Sequence, residues 1–451
     1  MELAQFVVDT QFEQIPVAAQ EVALRILQTT LGTAIAGSGE DGVREALAVY
    51  RSPPGTHRAT VLVHGDVLPA ASAACINGVM CRALDYCDAM APGLHIGSSL
   101  VPAALATAEA VGGVSGRDFL VALVVGAEVA ARMNLTEAGY AGLDPTGIAA
   151  VFGATAVSAR LLRLDTHQTL NALALAFNRA AGSFQSNIDG SLAVRMIQGW
   201  VAADGLNCAR LAQAGLTGPH RFISGVYGFG ALYAHSQSFE EDVRLELGKT
   251  YRLMQTMFKK YPSCGLSQGV TELALRMVAA GLEPADVQSA TVTLPPYAHR
   301  LVGHEFVIGG NPRVNAQFSA QYCVANALTR KSSMLEHFKP ELVRETAAGE
   351  LAKQVEVIAD PMLNARGHTA VDLVIKCRDG RALRESLDIA PGFPGQSLSD
   401  EEHTNRFRAC LAYAGRDPVS GDKLLATIRD LVNLPDIRAI IPLVSAGSAV
   451  A

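Results

Sequence analysis

Aromatic residues are scarce in this chain, at 6% with a single tryptophan, so the interior must be filled by smaller side chains. The 41 glycines and the many alanines point to closely packed helices. Charge is also sparse. Only 18% of residues are charged, and 37 basic side chains face 43 acidic ones for a net charge of -6. A nucleic-acid surface needs concentrated positive charge, which this balance does not supply. A local basic pocket for an anionic substrate is still compatible with it. No CxxC pair occurs. The eight cysteines stand singly, and the spacing of Cys75, Cys81 and Cys87 does not match a zinc site. Several lie among apolar residues and read as buried thiols. No long apolar run is present either. FLVALVVGAEVAA is too short and too interrupted for a membrane span, and the N-terminal MELAQFVVDTQFEQ carries acids where a signal peptide would be apolar. The expected location is the reducing cytoplasm.

What is present is ample core material, 49% hydrophobic over 451 residues, enough for two domains, with three as the alternative. VAAQEVALRILQTTLGTAIAG has apolar spacing of three and four. ASAACINGVMCRALDY, SGRDFLVALVVGAEVAARM, TGIAAVFGATAVSARLL, THQTLNALALAFNRAAG and ADGLNCARLAQAGLTG read as further helices. Several are apolar on all faces, as expected in the middle of a large bundle. SSLVPAALATAEAVGG is expected to be a helix with Ser98 or Ser99 as its N-cap. The character changes near residue 260. VQSATVTLPP and AKQVEVIAD are strand-like, and VDLVIKCRDGRALRESLDI reads as a hairpin around Asp379-Gly380. SQGVTELALRMVAAG and AQFSAQYCVANALTR supply helices for a small α+β domain. DKLLATIRDLVNLPDI returns to helix and could rejoin the first domain. The glycines of SGVYGFG follow no convincing strand and do not complete a dinucleotide fingerprint.

Taken in order, ALDYCDAMAPGLHIGSSLVPAALA, GLDPTGIAAVFGATAVSARLL, DGSLAVRMIQGWVAADGLNCARLAQAGLTGP, KKYPSCGLSQGV, NAQFSAQYCVANAL and GFPGQSLSDEE resemble the MmgE/PrpD family. That family includes 2-methylcitrate dehydratases, cis-aconitate decarboxylases and iminodisuccinate epimerases. The resemblance spans essentially the whole chain. It implies a large all-helical domain from residues 1-255 and 400-451, with an inserted α+β lid domain from 256-399. It also implies a homodimer, no cofactor, no metal, and a site between the domains for a small di- or tricarboxylate.

Carried over residue by residue, the resemblance places Asp85 and Asp88 at the first and last acids of the family's LDFDD segment. It places His95 at the histidine of its HPS segment, Lys259 before YPSC, Tyr322 after AQFS, and Arg195 in the segment usually reading MTKRLH. Cys87, Ala89 and Ile96 replace a middle acid, a common threonine and a proline. Asp144 stands where a histidine is common. Val194 and Ile197 replace a lysine and a histidine, and Gly265 and Gln268 replace an arginine and a histidine.

His95 has the chemistry of a proton carrier near neutral pH. Its alternative is an inert, hydrogen-bonded histidine near a helix start. Asp85 could orient His95, contact substrate, or form a cap or salt bridge. Asp88 is a candidate substrate contact, with the competing reading of a turn acid binding backbone N–H groups. Lys259 could hold a carboxylate, stabilise developing charge, or serve as a base if desolvated. Arg195 could grip a carboxylate bidentately or make a structural salt bridge. Tyr322 could donate to substrate or pack beside Phe318. Asp144 could be an alternative base, bind an amino or hydroxyl group, or mark lost activity. Cys264 has no visible base and reads as structural. The leading expectation is a cofactor-independent lyase, of dehydratase or decarboxylase type, that removes a proton next to a carboxylate. An epimerase or isomerase, and an inactive binding protein on the same scaffold, are the alternatives.

Overall fold

The computed structural model describes residues 1–50 and 58–445. In the larger part, helix Val17–Gly37 buries Leu27, Leu31 and Ile35. It packs against helices Ala70–Arg82, Gly97–Ala110 and Gly116–Met133, which in turn pack against Val151–Leu161 and Ala193–Gln213. The glycine content has a local reason here. A Cβ on Gly199 would lie 2.4 Å from the carbonyl oxygen of Cys75, and one on Gly78 would lie 2.8 Å from the Gly199 Cα. Helices Ala70–Arg82 and Ala193–Gln213 therefore touch backbone to backbone, an approach that any larger residue would block.

Helix Gly116–Met133 contains the longest apolar run, and it is capped by Ser115, which accepts from the Asp118 N–H at 3.1 Å. Its one buried ion pair, Glu128 with Arg132 at 2.6 Å, is not isolated in hydrocarbon. Arg132 also donates to the carbonyls of Val243, Leu245 and Thr250, and Glu128 accepts from the Leu253 N–H. The pair thus pins the segment Val243–Leu253 to the bundle. Among the described residues no helix is long and apolar enough to cross a membrane.

The expected cap of the helix after His95 is corrected. The helix begins at Gly97, so Ser98 and Ser99 lie inside its first turn. Their hydroxyls donate to Gln198, while the free N–H groups of Ile96 and Gly97 are taken by Asp88 from outside the helix. AQFSAQYCVANALTR also differs from a single helix. It forms Pro312–Gln317 and Ala320–Arg330, broken at Phe318 and restarted by Ser319 as N-cap.

The smaller part holds a four-stranded sheet in the order Val355–Ala359, Val287–Leu294, Val371–Cys377, Ala382–Leu387. The first pair is parallel and the other two are antiparallel. The last pair is the expected hairpin, with Gly380 at φ 89° supplying the left-handed turn position. Helices Gln268–Ala279 and Ala320–Arg330 cover the sheet. Its core runs from Cys264 to Cys377 and is separate from that of the helical part. Phe407, Leu411, Leu425, Ile428 and Ile440, after the sheet, are buried with Leu27 and Leu31 in the helical core. Helix Asp400–Tyr413 lies along Val17–Gly37, close enough that a Cβ on Gly32 would sit 3.1 Å from the Phe407 ring. The result is a large helical region and a smaller sheet-containing region.

Candidate active site

Two short strands join the parts. Asp88–Ala89 pairs antiparallel with Met257–Phe258, placing Asp88 opposite Phe258. Gln317 braces the same seam, donating from Nε2 to the Leu84 carbonyl at 2.6 Å and to the Pro262 carbonyl at 3.0 Å. Lys259, next after the second strand, therefore arrives at the end of helix Ala70–Arg82. Its Nζ donates to Asp85 Oδ1 at 2.7 Å and to the Asp85 carbonyl at 2.9 Å. Arg82, one helical turn before Asp85, donates to the same Oδ1. Asp85 itself has φ 48°, a left-handed conformation that Asp tolerates better than most residues and that ends the helix here.

All three side chains of this triad are buried. Burial opposes ionisation of Asp85, but Arg82 and Lys259 outweigh it and bring its carboxyl down to about 2. Asp85 is therefore a fixed anion, unsuited to proton transfer near neutral pH. Lys259 spends one of its three donors on that carboxylate and a second on the backbone carbonyl of the same residue. Asp85 Oδ2 and Arg82 Nε are buried without a hydrogen-bond partner.

His95 is held by its backbone neighbours. Its Nδ1–H donates to the Asp88 carbonyl at 2.7 Å, with Cys87 Sγ 3.2 Å from the same nitrogen. Its backbone N–H donates to Thr146 Oγ1 at 3.0 Å. Asp88 closes the loop by accepting from Ile96 at 3.1 Å and Gly97 at 3.0 Å. These bonds commit Nδ1 as the donor nitrogen, leaving the Nε2 lone pair as the available base. Burial, reinforced by Arg82 and Lys259, pushes the imidazolium well below its ordinary pKa, so His95 is neutral at physiological pH.

Arg82, Asp85, His95, Asp144 and Lys259 all line one cavity. Asp144 is held at the start of the turn Thr146–Ala150, where it accepts from the Gly147 N–H at 2.9 Å. Burial raises its carboxyl above the ordinary range, only partly offset by that bond. Cys264 also lines the cavity, but burial pushes its thiol up to about 11, which leaves it un-ionised. Two titratable wall residues were not singled out in the sequence. Arg82 had a signal: it sits three residues before Asp85, one helical turn away. His368, whose ring lies 5.5 Å from that of Phe393, had none, since it stands alone in a loop far along the chain.

Three expected substrate contacts do not line this cavity. Asp88 is occupied in the cradle under His95, as a turn acid binding backbone. Arg195 donates to the Asp41 carbonyl, on the loop that carries Glu40, and Glu40 pairs with Arg313 at 3.1 Å. Tyr322 is fully buried in the smaller core between Phe306 and Phe338, its hydroxyl donating to the His337 carbonyl at 2.8 Å. Sequence proximity to a motif placed it on the right helix but could not say which face that helix buries. Gln268, where a histidine was expected, brackets Tyr261 by accepting from its N–H at 2.8 Å and donating to its carbonyl at 3.0 Å. It shapes the turn after Lys259. Lys260 points elsewhere, to Glu272 at 3.1 Å and Glu402 at 3.5 Å.

A helical region and a sheet-containing region meeting at a buried carboxylate–cation–histidine site define a class of two-domain proteins. The chain belongs to the MmgE/PrpD family: residues 1–242 match its N-terminal domain and residues 261–426 its C-terminal domain. It is similar to cis-aconitate decarboxylase of Mus musculus, 25% identical with 94% of this chain and 88% of the relative covered. It is equally similar, at 25% identity, to a cis-aconitate decarboxylase-like protein of Aspergillus oryzae, with 98% and 96% covered. The Homo sapiens cis-aconitate decarboxylase also matches at 25%, with 92% and 87% covered.

Proposed function

We propose that the protein is a cofactor-independent lyase acting on a small carboxylate, of dehydratase or decarboxylase type. The observation that carries this reading is His95: its Nδ1 is committed to the Asp88 carbonyl, so a neutral imidazole offers Nε2 in a cavity walled by Arg82 and Lys259. Family membership and relatives named for a decarboxylase support the same class.

In dehydration, Nε2 takes the proton from the carbon beside the substrate carboxylate. The C–H electron pair becomes the new C=C bond, and the hydroxyl on the next carbon leaves with its own bonding pair. Asp144 in its acid form protonates that hydroxyl, so water is released. Arg82 and Lys259 stabilise the charge that builds on the carboxylate as the proton leaves. Exchange with solvent then restores His95 and Asp144. In decarboxylation the C–C pair stays on carbon as carbon dioxide departs, and the Asp144 proton quenches it.

One observation favours a second reading. His95 and Asp144 share the cavity as two proton carriers, which is what epimerisation requires. Incubation with hydroxy acids in heavy water, followed by NMR, separates the two. Alkene formation that depends on His95, or carbon dioxide formation that depends on Asp144, supports the lyase. Exchange of the proton next to the carboxylate with inversion and no new alkene supports the epimerase. Neither event in wild-type protein across the panel overturns both.

A further inference from the structure

The cavity wall sets how many substrate charges it can match. Its fixed cations are Arg82 and Lys259, and Asp85 neutralises one of them through the pairs described above. Among the described residues, Asp144 is the only other carboxyl in the wall. His95 and His368 are both held toward their neutral forms, chiefly by burial, and Cys264 is a thiol. With Asp144 protonated the wall carries one net positive charge, and with Asp144 ionised it carries none. The remainder is largely apolar and includes Met90, Phe184, Leu266, Leu301 and Phe393. A second or third substrate carboxylate would enter this space without a cation, and burying an unpaired charge is strongly unfavourable.

We propose that the substrate is a short-chain monocarboxylate with an apolar tail and a hydroxyl or amino group on the β-carbon, not a di- or tricarboxylate. Its carboxylate lies against Arg82 and Lys259. Its β-substituent lies against Asp144, whose acid form donates to a hydroxyl and whose ionised form pairs with an ammonium. Its tail lies along the Phe184 and Leu301 side. Arg82 is the specificity-determining residue for this arrangement, because its guanidinium is buried with Nε unpartnered beside the one anion already present. The proposal deepens the lyase reading and rests on the same cavity.

The test is calorimetric titration of the full-length protein with 3-hydroxybutyrate, 3-aminobutyrate, malate and citrate. Malate resembles 3-hydroxybutyrate with the methyl group replaced by a second carboxylate, so the pair isolates that one charge. The expected result is tighter binding of 3-hydroxybutyrate or 3-aminobutyrate than of malate by about tenfold or more. Their ranking reports whether Asp144 meets a hydroxyl or an ammonium. Arg82→Gln is expected to weaken monocarboxylate binding by about tenfold or more, and Arg82→Lys to restore part of it. Malate or citrate binding more tightly than both monocarboxylates to the wild-type protein overturns the proposal, whether or not the Arg82 variants fold. The lyase reading fails separately. Monocarboxylate preference without any proton exchange or product leaves the substrate class standing and removes the lyase. His95-dependent conversion of citrate without that preference does the reverse.

Discussion

Lys259 meets Asp85 twice, from one Nζ to a carboxylate oxygen at 2.7 Å and to the backbone carbonyl at 2.9 Å. The contact ties the smaller region to the end of a helix in the larger one, across 174 residues of chain. Removing either partner leaves the other charge buried. Lys259→Met is expected to destabilise the fold by roughly 3 kcal/mol as well as to abolish turnover. Adding Asp85→Asn should recover part of the stability, with a coupling above about 1 kcal/mol in urea denaturation. Additive losses would show that the pair does not act as a unit.

His95→Gln separates chemistry from structure more cleanly. The side chain makes no ion pair, so the fold should persist while turnover falls by about 10²–10⁴-fold. Circular dichroism and progress curves on the same preparation check both halves. Retained turnover would remove His95 from the mechanism.

The pH dependence follows from burial at the same site. In the folded protein the His95 pKa is depressed below 6.5, so the unfolded chain binds more protons there as pH falls. Stability from this group is complete above 6.5 and is lost as pH falls below that value toward the folded pKa. Asp85 adds the same sign at lower pH, losing its contribution between 3.8 and about 2. Asp88 and Asp144 oppose this, because their raised carboxyls favour the folded state only below their folded pKa values. For activity, the acid limb of kcat/KM due to His95 should lie below pH 6.5. A wild-type acid limb at or above that value would contradict a neutral, cation-flanked imidazole.

Gly97 is a steric test of the cradle beneath His95. A Cβ there would come within 2.4 Å of both Asp88 Oδ1 and Thr30 Oγ1. Gly97→Ala is expected to lower stability by about 1–3 kcal/mol and to reduce turnover by displacing Asp88 and the His95 loop. Thermal unfolding and turnover are the readouts, and unchanged values in both would sink the positioning role of Asp88.

Glu128→Gln tests the helical bundle away from the site. It strands Arg132 in a dry interior and should cost about 3–5 kcal/mol, while activity per folded molecule is preserved. Urea unfolding with active-site titration measures both. A loss of activity equal to that of His95→Gln would show that the bundle and site are coupled.

Much of the architecture was legible because burial patterns are local. The three-and-four spacing around Leu27, Leu31 and Ile35, and the β-branched runs at 287–294 and 371–377, mark their elements without help from distant residues. His95, Asp85 and Lys259 were legible as a set through motif order. Their roles were not. That Lys259 is a paired cation follows from the contact between strands Asp88–Ala89 and Met257–Phe258, which no local spacing encodes. Arg195 and Tyr322 were misplaced for the same reason: a motif fixes a residue's position along a helix, and packing decides what that helix faces.

The sequence by itself determined the hydrophobic spacing, the change of character near residue 260, and a histidine placed just before a helix. Only the tertiary structure decided that Asp88 feeds the backbone beneath His95, that Arg82 joins Lys259 on one carboxylate, and that Asp144 shares their cavity. The physical reason is range. Periodicity and capping act within a few residues, whereas charge balance and proton affinity in a cavity depend on groups brought together from distant parts of the chain.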